Sequence, residues 1–108
     1  MAMLDRDISV ARELKERLAG VVTLVDFKVF GSRARGDADE YSDLDIFLEV
    51  ETLDKEQKDQ ISEIAWEVGY NNDCMHISPL IFTRYELEES PLRISSIVQV
   101  IAEEGVRI

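Results

Sequence analysis

The densest chemistry in this sequence lies between Gly31 and Ile46, which read GSRARGDADEYSDLDI. Gly31-Ser32 follows an apolar run; with ten residues between, Asp43-Leu44-Asp45 opens another. Glycine lets a backbone turn sharply and approach a ligand closely. A free amide and a serine hydroxyl in such a turn donate to phosphate oxygens. Gly-Ser by itself also describes an ordinary turn after a strand. Asp43 and Asp45 stand two apart at a strand start, so both carboxylates fall on one sheet face. Two anions that close repel unless a cation sits between them. Mg²⁺ suits the role, because it takes one or two carboxylates and keeps water and substrate phosphate as its other ligands. Mn²⁺ is the alternative. By itself Asp-x-Asp equally describes a turn cap and a solvated strand residue. Phe47 and Glu49 share this face, so it reads as other than a core face. Arg33 and Arg35 bring two cations to the turn. They either clamp phosphate bidentately or pair with Asp37, Asp39 or Glu40.

The elements that position these residues follow from periodicity. Ile8, Ala11, Leu14 and Leu18 recur at helical spacing, which predicts a helix over about Asp5 to Leu18 with Asp5 or Asp7 as N-cap and Gly20 at the stop. Val21 to Phe30 reads as a strand, with Val25, Phe27 and Val29 on one face. Leu44 to Val50 is a second strand, apolar at Leu44, Ile46, Leu48 and Val50. Thr52 or Asp54 caps a helix running to about Val68. Cys74 to Phe82 reads as a third strand, and Pro79 within it predicts an edge or a bulge. Thr83 caps a short helical turn. Ser90-Pro91 begins the last helix, with Ile94, Ile97, Val98 and Ile101 inward, Gly105 ending it and Val106 to Ile108 as an extended tail. The order helix, strand, strand, helix, strand, helix predicts an α/β (α+β) domain over residues 1–108, a small mixed sheet with helices packed on it.

Taken together, Gly-Ser, ten residues and Asp-x-Asp resemble the signature of the polymerase-beta-type nucleotidyltransferases. More narrowly, GSRARGDADEYSDLDIF resembles the minimal nucleotidyltransferases of bacteria and archaea. The resemblance implies the polymerase-beta-like fold. It implies that Gly31, Ser32 and, beside them, Arg33 hold a nucleoside triphosphate, and that Asp43 and Asp45 are the catalytic, metal-binding carboxylates. It implies Mg²⁺-dependent transfer of a nucleoside monophosphate, AMP from ATP or from another NTP its counterpart, onto a hydroxyl. A small helical HEPN-type protein is the implied partner and acceptor. The family also places a third carboxylate on the strand beside Asp-x-Asp, and Cys74 to Phe82 contains no acid. That departure leaves a second reading: an antitoxin-like interaction module that binds a HEPN-type partner with little or no catalysis.

Three further residues carry two readings each. His76, the sole histidine, is a base or a partly exposed strand residue. Cys74 reads as a core or strand-end thiol. Trp66 reads as packing beside a helical stripe rather than as a base-stacking platform.

Composition bounds the rest. The chain has 108 residues and a formal net charge of −11, from 12 basic and 23 acidic side chains. Such a balance argues against binding to duplex nucleic acid, which needs a basic face. One cysteine excludes an intrachain disulfide, and the expected location is the cytoplasm. No apolar run approaches the ~18 residues of a membrane span, and the N-terminus does not read as a signal peptide.

Overall fold

Helix α1 (Asp5–Ala19) carries Asp7, Val10, Ala11, Leu14 and Leu18 on one buried stripe. In the computed structural model, which describes residues 2–89 and 96–108, this stripe lies against a four-stranded sheet. The strands are β1 (Leu24–Phe30), β2 (Leu44–Val50), β3 (Ile77–Thr83) and β4 (Val106–Arg107), in the order β3-β2-β1-β4. β1 and β2 are antiparallel, β2 and β3 parallel, and β4 antiparallel to β1. The mixed α/β architecture predicted above is the one observed. A parallel pair needs a long crossover, and α3 (Lys55–Asn71) supplies it between β2 and β3. Asp54 caps α3: its carboxylate accepts from Gln57 N–H at 2.8 Å, and Gln57 Oε1 accepts from Asp54 N–H at 3.1 Å.

Between this sheet face and the two long helices lies the main core. Phe27 and Val29 of β1, alternate residues of β2, and Ile61, Ala65 and Val68 of α3 close over the α1 stripe. Each fully buried aliphatic side chain contributes about 1.5–3 kcal/mol. Val25 leaves the expected pattern. The register slips between Leu24 and Asp26, so the extra residue bulges out and Val25 is exposed. Leu24 replaces it at the core edge.

The other sheet face holds a smaller core, contrary to the expectation that the Asp43 side would be entirely non-core. Phe47, Phe82 and Ile101 are buried there, and the Phe47 and Phe82 ring centroids stand 5.9 Å apart. Ile101 comes from α5 (Ser96–Glu104), which covers this half of the face. Asp45, at the other end of β2 on this face, is half-buried. Ile97, expected inward, is exposed on α5. The expected helix start at Ser90-Pro91 and the placement of Ile94 lie outside the described residues. Two short helices complete the fold, α2 (Gly31–Arg35) and α4 (Arg84–Glu89). Thr83 caps α4 through a reciprocal bond with Glu86. The C-terminal tail is more than extended: as β4 it pairs with β1, and Arg107 grips Asp26 through two hydrogen bonds of 3.0 Å. Among the described residues, no helix is long and apolar enough to cross a membrane.

Candidate nucleotide and metal site

Strand register assembles the site. Phe30, the last residue of β1, pairs with Asp45 near the start of β2. The chain then turns at Gly31, whose φ is +76°. That left-handed conformation favours glycine. A Cβ on Gly31 would collide with the Asp45 carboxylate. Glycine is therefore required here twice over, by torsion and by the closeness of the carboxylate. Ser32 follows in the first turn of α2, half-buried, and its hydroxyl makes no hydrogen bond among the described residues. Gly36, with φ +81°, closes α2 by returning its amide to the Ser32 carbonyl.

Asp43 is exposed just before β2, and Asp45 is half-buried within it. Burial pushes the Asp45 carboxyl above its ordinary value, and the neighbouring Asp43 charge pushes it further; His76 and Arg35 oppose the rise. An anion held beside another anion and partly desolvated is a place that gains from a cation. Among the described residues, no set of three His, Cys, Asp or Glu side chains gathers as a complete metal cage. Two carboxylates beside a glycine turn still fit Mg²⁺, which customarily takes one or two carboxylates and completes its shell with water and phosphate.

The two arginines separate. Arg33 points inward. Its Nη1 donates to Asp7 Oδ1 at 2.9 Å, its Nε to the Ser42 carbonyl at 2.9 Å, and its Nη2 to the Glu40 carbonyl at 3.5 Å. The guanidinium, which the resemblance places at the nucleotide, is buried here and already bonded to Asp7 and two backbone carbonyls. Asp7, expected as an N-cap candidate, is the buried counter-charge instead; Leu4 occupies the cap without a side-chain bond. The signal was present: Asp7 falls on the stripe of Val10, Ala11 and Leu14. Arg35 remains at the surface, near Asp37 at 3.3 Å and Glu104 of α5 at 3.6 Å. Its charge reaches Asp45 and opposes the rise of that carboxyl.

On the other side of Asp45 lies β3. Asp45 pairs with Ser78, so Ser78 is the residue on the neighbouring strand nearest the aspartates. Its row on this face continues as Leu80 and Phe82, without an acid. His76 sits just before β3. Its carbonyl accepts from Leu44 N–H at 2.9 Å, and its Nδ1 lies 3.0 Å from Asp43 Oδ1. Cys74, expected in or at the end of a strand, instead occupies an exposed turn, where it and Asp73 both have positive φ. Trp66 is not packed inside: it is 67% exposed and stacks on Tyr70 at 5.2 Å.

Comparison with known proteins places the fold in a family. Residues 8–108 match the nucleotidyltransferase domain, and the chain belongs to that family. Two solved structures share its fold. One is a Sulfolobus solfataricus protein assigned as a nucleotidyltransferase, 20% identical, with 95% of this chain and 82% of that one covered at a TM-score of 0.54. The other comes from the toxin–antitoxin MntA-HpeT structure, 20% identical, with 96% of this chain and 72% of that one covered at 0.59. No match is found among the curated proteins.

Proposed function

We propose that the protein is a Mg²⁺-dependent nucleotidyltransferase that moves AMP from ATP to a hydroxyl on a small helical partner of HEPN type. The carrying observation is the close approach of the Gly31 turn, held at φ +76°, to the Asp45 carboxylate, which a Cβ at this position would meet. It supports the reading because a glycine turn able to approach a phosphate lies directly against one of the two carboxylates.

In this reading Gly31 and Ser32 donate to the β- and γ-phosphates, and Arg35 leaves Asp37 and Glu104 to neutralise them. Asp43 and Asp45 would hold Mg²⁺ or Mn²⁺. When bound, the ion neutralises charge developing on the phosphates and aligns an in-line attack. The acceptor oxygen forms a bond to the α-phosphorus as the bond to the β-phosphate bridging oxygen breaks. Pyrophosphate leaves with that electron pair, and the hydroxyl proton passes to solvent. The protein partner is supported by the toxin–antitoxin neighbour and by an acidic balance that suits a basic polypeptide.

The test is co-expression with a small helical HEPN-type protein, followed by intact-mass measurement of that protein. AMP-sized additions that vanish with Asp43→Ala/Asp45→Ala are expected. The second reading, an interaction module, is favoured by Ser78 standing where an acid is expected. It predicts neutralisation of the partner by a folded Asp43→Ala/Asp45→Ala protein without any mass addition.

A further inference from the structure

The two aspartates are held in different ways. Asp45 is half-buried, and its carboxylate lies against the Gly31 turn, so its surroundings limit where it can point. Asp43 is exposed just before β2. Its main chain is nonetheless fixed from both neighbours. The Ser42 carbonyl accepts from Arg33 Nε, and the Leu44 N–H donates to the His76 carbonyl, each at 2.9 Å. What the backbone leaves undecided is the direction of the Asp43 carboxylate.

A single side chain bears on that direction. The parallel register pairs Leu44 with Ile77 and Asp45 with Ser78. Continued by one residue, it brings His76 alongside Asp43, on the sheet face that carries both aspartates. There the His76 Nδ1 lies 3.0 Å from Asp43 Oδ1. At that distance an Nδ1–H donates to one carboxylate oxygen and leaves Oδ2 for another partner. Among the described residues, Asp43, Asp45 and His76 do not gather as a three-ligand cage. The imidazole therefore bears on the carboxylate, not on the place where an ion would sit. Carboxylates that bind metals are customarily hydrogen-bonded in turn, and such outer partners orient the ligand. A carboxylate already turned loses less rotamer freedom when the ion arrives.

We infer that His76 is the positioning residue of the metal site: its Nδ1–H turns Asp43 so that the free oxygen meets the divalent cation that accompanies the nucleotide. The inference rests on the reading of Asp43 and Asp45 as metal ligands given above.

Two substitutions of nearly equal shape test it. His76→Asn keeps an N–H donor where Nδ1 stands, and His76→Leu removes it. His76 is largely exposed, so both variants should fold, which far-ultraviolet circular dichroism verifies. Calorimetry then gives the Kd of a non-hydrolysable ATP analogue twice, as its Mn²⁺ complex and metal-free in chelator. The wild type is expected to prefer the Mn²⁺ complex. His76→Leu should weaken binding of that complex about tenfold or more, and His76→Asn should stay within about threefold of the wild type. All three should bind the metal-free analogue equally. Electron paramagnetic resonance of the bound Mn²⁺ should show no directly bonded nitrogen. Wild-type affinity for the Mn²⁺ complex in His76→Leu, or an equal loss in His76→Asn, would overturn the inference and leave the metal site standing. So would a nitrogen bonded to Mn²⁺, which would make His76 a ligand, or weakened binding of the metal-free analogue, which would make it a nucleotide contact. If the wild type binds the analogue no better with Mn²⁺ than without, the metal reading itself falls and this inference falls with it.

Discussion

Asp7 and Arg33 form an ion pair 2.9 Å long inside the protein, with side chains only 2% and 6% exposed. The pair ties α1 to α2 and to the loop carrying Ser42, and so fixes the turn that begins at Gly31. Removing one partner of a buried pair strands the other charge at a cost of about 3–5 kcal/mol. Asp7→Ala and Arg33→Ala should each lower unfolding free energy by about that amount in urea titrations. Nucleotide affinity should respond differently. At a condition where both are folded, Arg33→Lys keeps the Kd for an ATP analogue within about threefold, whereas Arg35→Gln weakens it about tenfold. Equal losses would mean that Arg33 does reach the phosphate.

Asp45→Asn should stabilise the metal-free protein. Burial and Asp43 raise the Asp45 carboxyl above 3.8, so the folded state holds this proton more tightly than the unfolded state. Stability attributable to Asp45 is therefore greatest below pH 3.8 and falls as pH rises through the raised folded value. An amide of the same shape removes that penalty. The expected result at neutral pH is a rise in Tm of about 1–3 °C, together with loss of the Tm increase that Mg²⁺ and an ATP analogue give the wild type. A fall in Tm would contradict the strained-carboxylate picture.

Gly31→Ala tests the turn. A left-handed backbone costs a residue with a Cβ roughly 1–2 kcal/mol, and here the methyl would also meet the Asp45 carboxylate. The variant should lose about 2 kcal/mol of stability in urea and bind the ATP analogue at least tenfold more weakly. Unchanged affinity would remove Gly31 from the site.

Ser78→Asp tests the departure from the family pattern. Ser78 is paired with Asp45 on the same face, so an aspartate there supplies the third carboxylate. Without metal it should lower Tm by adding a third anion. With Mg²⁺ it should raise the rate of transfer by about tenfold or more, the lower end of what a positioned acid or base contributes. A rate unchanged in a folded variant would show that another group already fills that role.

Arg107 and Asp26 offer a test of the C-terminal strand. Burial alone would raise the Asp26 carboxyl; the Arg107 hydrogen bonds and the Phe27 amide outweigh it, so it lies below 3.8. Its contribution is present above that value and lost as pH falls through the lowered folded one. Arg107→Ala should therefore cost stability at pH 7 and cost less near pH 2, measured by thermal melts at the two values.

Much of this was legible in the sequence because local rules governed it. The β2 span Leu44–Val50 was read to the residue, since strict alternation of apolar side chains fixes one face. Pro79 gave β3 its edge position, and Asp54 and Thr83 gave two caps. What escaped depended on distance along the chain. Asp7 and Arg33 are 26 residues apart, and only the packing of α1 on the sheet reveals that they are partners. Val25 fitted the alternation until a bulge displaced it. Val106–Arg107 was too short to signal a strand without β1 beside it. Trp66 lay at the flank of a helical stripe, and only the fold shows that this flank faces solvent beside Tyr70. At the site, register brings Gly31 against Asp45, two residues from Asp43, while Arg33 turns inward to Asp7 and Arg35 stays at the surface near Asp37 and Glu104.

The most direct measurement compares two label positions in ATP. The protein is incubated with Mg²⁺ and its co-purified partner in ATP labelled at the α-phosphate, and in parallel at the γ-phosphate. Transfer of a nucleoside monophosphate puts α-label on the partner, none of the γ-label, and releases γ-label as pyrophosphate. Asp43→Ala/Asp45→Ala should abolish all of it. Label appearing from the γ-phosphate, or α-label that persists in the double variant, would contradict nucleotidyl transfer at Gly31, Ser32, Asp43 and Asp45.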